Sequence, residues 1–291
     1  ELKLQDLRFV FLEGAAIDSR KIEKGQLFVA LRGSRDDGHR FLAEAFRKGA
    51  SGALIESDFF FSNQKELSQS PSLYRNLLPV RDPQSSFVAL AAHLRLSYKP
   101  LAIGITGSVG KTSTKEFLNF LLRKRFNVLS SAGNLNNHLG LPLTLFRLRG
   151  DHQICIAELG ASRKGEIRDL AHLLRPHHAI ITRISPAHLD GFGSLKDIYE
   201  AKLEILEPLL NGATVVLPDE DSVLLREAQK YKVRVLTVGS SPGADYCVTH
   251  TSVRNSRVHF QVNTRPFIFT GAAGFLAVNA AMAVAMAESV G

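Results

Sequence analysis

Thr106-Gly-Ser-Val-Gly-Lys-Thr112 sets two glycines, a lysine and three hydroxyls within seven residues, with Ser113 next in line. A glycine turn followed at once by a helix leaves several backbone N–H groups aimed at one small concavity, and that arrangement binds phosphate. In such a loop Thr106, Gly107, Ser108, Val109 and Gly110 form the cradle. Lys111 adds a point charge for the outer phosphates, and the Thr112 hydroxyl is placed to ligate Mg²⁺. The flanks agree: Leu101–Ile105 is a short apolar run of strand type, and Phe117, Leu118, Leu121 and Leu122 recur at helical spacing. One departure stands out. The usual pattern has a glycine five residues before Gly110, where this chain has Ile105, and Gly104 sits one place early. The plainer alternative is an ordinary strand-to-helix turn that happens to contain Gly-Lys.

Other candidates lie just after apolar runs that read as strands. Glu158 follows Gln153–Ala157, where a carboxylate near a phosphate loop is the usual second contact for Mg²⁺; a surface or capping glutamate is the alternative. His188, in Ser185-Pro-Ala-His-Leu-Asp190, can ligate a metal or polarise a carbonyl, although a lone loop histidine is more often structural. Ala132-Gly-Asn-Leu-Asn-Asn137 offers amide donors and acceptors suited to a sugar or a peptide carboxylate, and equally to a plain turn. Lys202 lies in a helical segment with Glu200 and Glu204 nearby, and periodicity alone makes it a solvated helix lysine.

The elements that must position these residues alternate. Strands are expected at Leu101–Ile105, Phe126–Ser130, Gln153–Ala157, Ala179–Ile184, Ala213–Leu217 and Val233–Val238. Helices are expected at Thr112–Lys124, Lys164–Leu174, Ser194–Leu210 and Ser222–Tyr231. Such alternation predicts a parallel sheet wound by right-handed crossovers, with ligands at the carboxyl ends of its strands. Past Gly239, Tyr246–Thr251, Ser256–Val262 and Pro266–Phe269 read as short antiparallel strands, and an alanine-rich helix runs from Phe275 to Glu288. Before this region, residues up to Val80 read as a small mixed α/β unit with strands Gln26–Ala30 and Gly52–Ile55. A serine-rich stretch from Ser57 to Ser72 reads as loop, or a weak helix around Lys65. Asp82-Pro83 starts a helix whose buried face is expected at Phe87, Leu90, Ala91 and Leu94. The fold class is therefore α/β: a small mixed α/β domain over residues 1–82, then a phosphate-loop domain over 83–291 with a mostly parallel sheet and a small antiparallel addition.

Composition narrows the function classes. With 45% apolar and 22% charged residues the chain is globular rather than disordered. No apolar run is long enough to span a bilayer, and no charged-then-apolar leader opens the chain. Cys155 and Cys247 sit in apolar runs as small buried residues, which fits a reducing cytoplasm. The net charge of +8 is uneven: residues 1–83 hold 13 Lys/Arg against 12 Asp/Glu, and the rest hold 23 against 16. A basic surface attracts polyphosphates and nucleic acid alike. No Lys/Arg tract interleaved with aromatics appears, so no nucleic-acid partner is expected and an acidic small substrate is favoured.

Taken together the motifs resemble the Mur ligases of bacterial cell-wall synthesis. Ile17-Asp-Ser-Arg20, Gly25-Gln-Leu-Phe-Val-Ala-Leu-Arg-Gly33 and Asp37-Gly-His39 are similar to the family's uridine-nucleotide domain in MurE and MurF. Thr106–Thr112 resembles the family's own form of phosphate loop, which accounts for the missing glycine. Gly133-Asn-Leu-Asn-Asn137 with Gly140-Leu-Pro-Leu-Thr144, Glu158-Leu-Gly160 with Gly165-Glu-Ile167, and Ser185–Ser194 are closer to the MurF branch than to MurE.

The resemblance implies ATP-dependent joining of D-alanyl-D-alanine to UDP-N-acetylmuramoyl-tripeptide through an acyl phosphate. It implies ATP and two Mg²⁺ ions, one held by Thr112 and Glu158, the second by His188 with a carbamylated Lys202; Lys111, His188 and Lys202 form the catalytic set. Ser19, Arg20 and His39 would contact the uridine nucleotide, and Asn134 and Asn137 the muramoyl-peptide or phosphate side. Asn279 would lie near the adenine, although Phe275-Leu276 stands where the branch usually has a His-Asn pair. A cytoplasmic monomer is expected. The family continues past the point of Gly291 into a third, Rossmann-like domain, so the 291 residues are expected to bind precursor and ATP weakly without turnover. The alternatives are a MurE-type ligase adding one amino acid to the dipeptide precursor, a folylpolyglutamate synthetase, which would lack the Asp-Ser-Arg domain, and a non-catalytic nucleotide-binding module.

Overall fold

Short apolar runs separated by amphipathic segments build two separate sheets. The computed structural model describes residues 12–33, 36–186 and 189–291. Two compact units result: one holds the chain up to Ser97 together with Leu145–Arg147, the other Tyr98–Thr144 and Leu148–Gly291. Both are α/β. Among the described residues no helix is long and apolar enough to cross a membrane.

In the first unit β1 (Ala15–Ala16), β2 (Leu27–Val29), β3 (Gly52–Glu56) and β4 (Leu77–Val80) lie in that order, all parallel. Phe28, Ala30, Leu42, Ala45, Ala53 and Ile55 form the core. The stretch expected as loop between Ser57 and Ser72 folds instead into short helices, Ser57–Ser62, Gln64–Leu67 and Pro71–Tyr74. Phe59, Phe60, Leu67 and Leu73 pack against the core, and Phe60 stacks on Tyr74 with centroids 5.3 Å apart. Each helix is too short to repeat its apolar residue, so no period shows in the sequence. Helix Pro83–Tyr98 buries Phe87, Ala91 and Arg95, whereas Leu90, expected on the buried face, is exposed. The compact division falls near the end of this helix, after Ser97. Phe87 stacks on Phe146 at 4.9 Å, which ties Leu145–Arg147 into this unit.

The second unit contains β5 (Leu101–Thr106), β6 (Val128–Ser130), β7 (Ile154–Glu158), β8 (His178–Ile181), β9 (Thr214–Pro218), β10 (Arg234–Gly239), β11 (Tyr246–Arg254), β12 (Arg257–Val262) and β13 (Arg265–Thr270). Their order is β13-β12-β11-β10-β9-β8-β5-β7-β6. From β6 to β11 all neighbours are parallel; β11, β12 and β13 pair antiparallel, as expected. Helices Lys111–Leu122 and Leu276–Val290 join the main core through Leu118, Leu122, Ala277 and Ala281. The small alanines let the last helix sit close to its neighbours.

This order explains where chemistry can collect. Strand β5 lies between β7 and β8, and the chain leaves β5 for β6 on one side before crossing to β8 on the other. That reversal opens a crevice at the carboxyl end of β5, where sheets of this type bind ligands. The displaced glycine also finds its reason. A Cβ on Gly104 would lie 3.0 Å from Ile205 Cδ1, so Gly104 serves packing within the unit, while the turn itself is made by Gly107 and Gly110.

Candidate active site

The turn after β5 is held from below by a second strand end. Gly107 has φ +138°, and a Cβ there would lie 2.0 Å from the buried Thr182 Oγ1. That hydroxyl donates to the carbonyls of Thr106 and Val109, at 3.1 and 2.8 Å. Ser108 N–H donates to Arg183 O at 2.9 Å, and the Ser108 hydroxyl to Ser185 O at 3.0 Å. Thr106 is fully buried, its hydroxyl donating to Leu159 O. Gly110, at φ +94°, is the residue from which helix Lys111–Leu122 starts. The left-handed angles at both glycines are what the turn demands of residues without a Cβ.

Functional side chains converge on this turn. Lys111 Nζ folds back onto Gly107 O at 2.8 Å and Ser108 O at 3.3 Å, so its charge lies over the cradle. Burial lowers its pKa, and the nearby Glu158 carboxylate opposes that shift. Glu158, the last residue of β7, is 2% exposed. Its Oε2 accepts the Thr112 hydroxyl at 2.8 Å and its Oε1 the Asn136 amide at 2.9 Å. The expected pair Thr112 and Glu158 is thus brought together. Ser113 lies half-buried in the first helical turn. Asn279, on the last helix, approaches from the far side: a Cβ on Gly110 would lie 2.9 Å from its amide. Phe275, one turn earlier, is largely exposed.

Lys202 differs from its periodic reading. It is 3% exposed, with Nζ over the Phe192 ring at 5.4 Å. Burial, reinforced by the Lys111 cation, brings its pKa down to about 8, against the pull of Glu204 and Glu166. Glu204 is itself buried; it accepts the N–H groups of Gly165 at 2.8 Å and Arg168 at 3.0 Å, capping helix Glu166–Leu174. Nothing in the local sequence shows this, because the partner N–H groups are about forty residues away.

The remaining candidates divide. His188 lies outside the described residues. Asn137 Oδ1 accepts from Leu139 and Gly140 N–H groups, capping helix Gly140–Leu145, and Asn134 is exposed. Asn136, the middle member of the motif, was not singled out from sequence, yet it is the one that meets Glu158. Spacing in the run had no way to choose among three asparagines. Within the first unit, Ser19 is buried with its hydroxyl on Glu44, and Arg20 forms a forked pair with Asp18 at 2.9 Å while remaining exposed. His39 is buried: Nδ1 lies 2.5 Å from Asp37 Oδ1, and Nε2 accepts the Glu56 N–H at 3.0 Å. Those two bonds put the ring proton on Nδ1. Both cysteines are free, and Cys247 is half-buried rather than buried.

The donor set can be tested for Mg²⁺. A hydroxyl and a buried carboxylate are hard oxygen donors, which suits the ion. Among the described residues no group of three His, Cys, Asp or Glu could hold a metal unaided. Such a site would therefore be completed by phosphate oxygens and water, the usual way Mg²⁺ is held beside nucleotides.

Comparison with known proteins agrees with this geometry. Residues 105–287 match the sequence profile of the Mur ligase middle domain, and residues 12–93 that of the Mur ligase family, catalytic domain. The UDP-N-acetylmuramoyl-tripeptide–D-alanyl-D-alanine ligase of Bacillus subtilis (strain 168) is 35% identical over 252 residues, 86% of this chain and 52% of the relative. The chain spans about half the length of the curated relatives it matches. The crystal structure of MurF from Acinetobacter baumannii is similar at TM-score 0.77 and 31% identity, over 95% of this chain and 59% of that one. MurF ligase from Thermotoga maritima in complex with ADP is similar at TM-score 0.76 and 27% identity, over 98% and 64%. Motifs, phosphate-loop geometry and profile matches converge: the chain belongs to the Mur ligase family.

Proposed function

We propose that this chain serves the ATP-dependent joining of D-alanyl-D-alanine to UDP-N-acetylmuramoyl-tripeptide, the reaction named for its relatives. The observation that carries the reading is the Thr112–Glu158 contact at 2.8 Å, set at the mouth of a glycine turn over which Lys111 is folded. A carboxylate is a poor electrophile. The γ-phosphoryl of ATP therefore passes to the terminal carboxylate of the tripeptide, forming a P–O bond to it as the bond to ADP breaks. The dipeptide amine attacks the acyl carbon, phosphate leaves, and the amine proton passes to solvent or a nearby base. Both reactants are anionic, so the site must supply positive charge and alignment.

In this proposal Lys111 swings from the Gly107 and Ser108 carbonyls to the β- and γ-phosphates, and the turn N–H groups hold the chain of phosphates. Thr112 and Glu158 would hold one Mg²⁺, and His188 with Lys202 a second, the lysine as its carbamate. When bound, the ions supply charge neutralisation at the transferring phosphoryl group. Lys202 suits carbamylation because its lowered pKa leaves part of the amine neutral near neutral pH. Ser19, Arg20 and His39 remain the proposed uridine-nucleotide contacts, with Arg20 the exposed one. Asn134 and Asn137 are assigned to the muramoyl-peptide side and Asn279 to the base. The domains are assigned as residues 1–82 for the precursor and 83–291 for ATP, in a monomeric cytoplasmic enzyme.

The test is ADP release by a protein containing this chain, with tripeptide precursor plus D-alanyl-D-alanine in one arm and dipeptide precursor plus a single amino acid in the other. ADP is expected in the first arm only, with Lys111→Met slowing release at least about a hundredfold. Release confined to the second arm would make the chain MurE-type. No release in either arm, together with ATP binding indifferent to Lys111→Met, would mark a non-catalytic module.

A further inference from the structure

Lys115 is a buried charge that the mechanism above does not use. It lies one helical turn beyond Lys111 on the same helix, and its side chain is 0% exposed. All three ammonium donors have partners: Ser131 O at 2.7 Å, Gly133 O at 3.0 Å and Glu116 Oε1 at 3.1 Å. Burying an ammonium is costly, and an apolar residue would fill this place without that cost. What the charge does instead is grip two carbonyls of the loop that carries the asparagines. That loop has little packing of its own. Ala132, Gly133 and Asn134 are exposed, and Gly133, at φ +50°, has nothing within 4 Å of its would-be Cβ. Further along, the same loop is pinned to the end of β7: Gly160 N–H donates to Asn136 O at 2.7 Å, and Asn136 Nδ2 to Glu158 Oε1 at 2.9 Å.

We propose that Lys115 is a positioning residue: by holding Ser131 and Gly133 it sets the loop so that Asn136 fixes one oxygen of Glu158 while Thr112 fixes the other. The inference rests on the Mg²⁺ role proposed for Thr112 and Glu158. One helix thereby controls its carboxylate twice, directly through Thr112 and through the loop by way of Lys115. Groups that orient a metal-binding side chain from behind typically change metal affinity about ten- to a hundredfold when removed.

The test uses a protein containing this chain and a fluorescent ADP, with binding followed as Mg²⁺ is titrated and again without metal. Lys115→Met is expected to raise the Mg²⁺ concentration for half-saturation about tenfold and leave metal-free ADP affinity within about twofold. Asn136→Ala should do the same, and the double variant should be no worse than either single one, because both act along one path. Additive effects, an equal loss with and without metal, or an unshifted Mg²⁺ dependence overturn the proposal. If Lys115→Met does not fold, Lys115→Gln, which keeps two donors on a shorter stem, takes its place under the same criteria. If neither folds, Lys115 serves the core of the whole unit and the proposal fails. Should the unaltered protein bind no ADP at all, the proposed function fails; normal binding with unshifted variants sinks only the role of Lys115.

Discussion

Burying the Lys202 ammonium within reach of the Lys111 cation costs folding free energy, and the sign of its pH dependence follows. The pKa drops from the ordinary lysine value of 10.5 to about 8 in the folded chain. Below about pH 8 both folded and unfolded chains hold the proton, so the full penalty, about 3 kcal/mol, applies there. Between the two values the unfolded chain binds more protons, so stability rises with pH. Lys202→Met, studied by urea unfolding in CO₂-free buffer, should stabilise the chain at about pH 7 by up to about 3 kcal/mol, with the gain fading towards about pH 10.5. A gain that does not change with pH, or a loss at neutral pH, would contradict this. At this scale the sequence was informative for residues whose position is set locally. Lys111, Thr112 and Glu158 were legible because a strand end and a glycine turn fix their positions. Lys202 was not, since its setting is tertiary: its Nζ lies over the Phe192 ring, and the Lys111 cation, ninety-one residues away in the chain, adds to the lowering of its pKa. Asn136 was hidden among equals.

The turn after β5 shows how an element converts residue type into geometry. Thr182 occupies the volume that a Gly107 side chain would need, and its hydroxyl ties together the two ends of the turn. Gly107→Ala therefore meets a steric clash with a buried hydroxyl as well as a backbone angle hostile to alanine. It should destabilise the chain by more than about 3 kcal/mol and remove nucleotide binding. Gly212→Ala is the control: it shares a positive φ, +82°, but faces open space, so only the cost of about 1 kcal/mol for backbone strain is expected. Thermal melts of the two variants decide this; equal losses would mean that the Thr182 contact contributes nothing. Legibility here followed the same division. Strands of the parallel sheet could be read because each is a short apolar run, and the antiparallel addition because its turns carry Asn255-Ser256 and Asn263-Thr264; the short helix Gly140–Leu145 carried too little period to be expected. The helices between Ser57 and Tyr74 could not be read, because each is anchored by only one or two apolar residues, among them Phe59, Phe60, Leu67 and Leu73.

At the scale of the whole molecule, charge is the property most plainly written in the sequence. Residues 84–291 hold 23 Lys/Arg against 16 Asp/Glu, whereas residues 1–83 are nearly balanced. Surface charge and buried charge act differently on a polyphosphate ligand. Exposed lysines and arginines act at a distance and are screened over a Debye length of about 10 Å at 0.1 M salt. Lys111, packed over its own turn, acts only on contact and is screened far less. The exposed excess should therefore govern how fast a nucleotide arrives, and the turn with Lys111 should govern how long it stays. Raising NaCl from about 0.05 to about 0.5 M is expected to slow association of a fluorescent ATP several-fold and leave its dissociation rate nearly constant. Stopped-flow mixing separates the two rates. Lys111→Met should invert the pattern, speeding dissociation while leaving the salt slope of association intact. If salt accelerated dissociation as strongly as it slowed association, the cradle would be held open to solvent ions, and the enclosed contacts around Gly107 and Lys111 would not be what retains the phosphates.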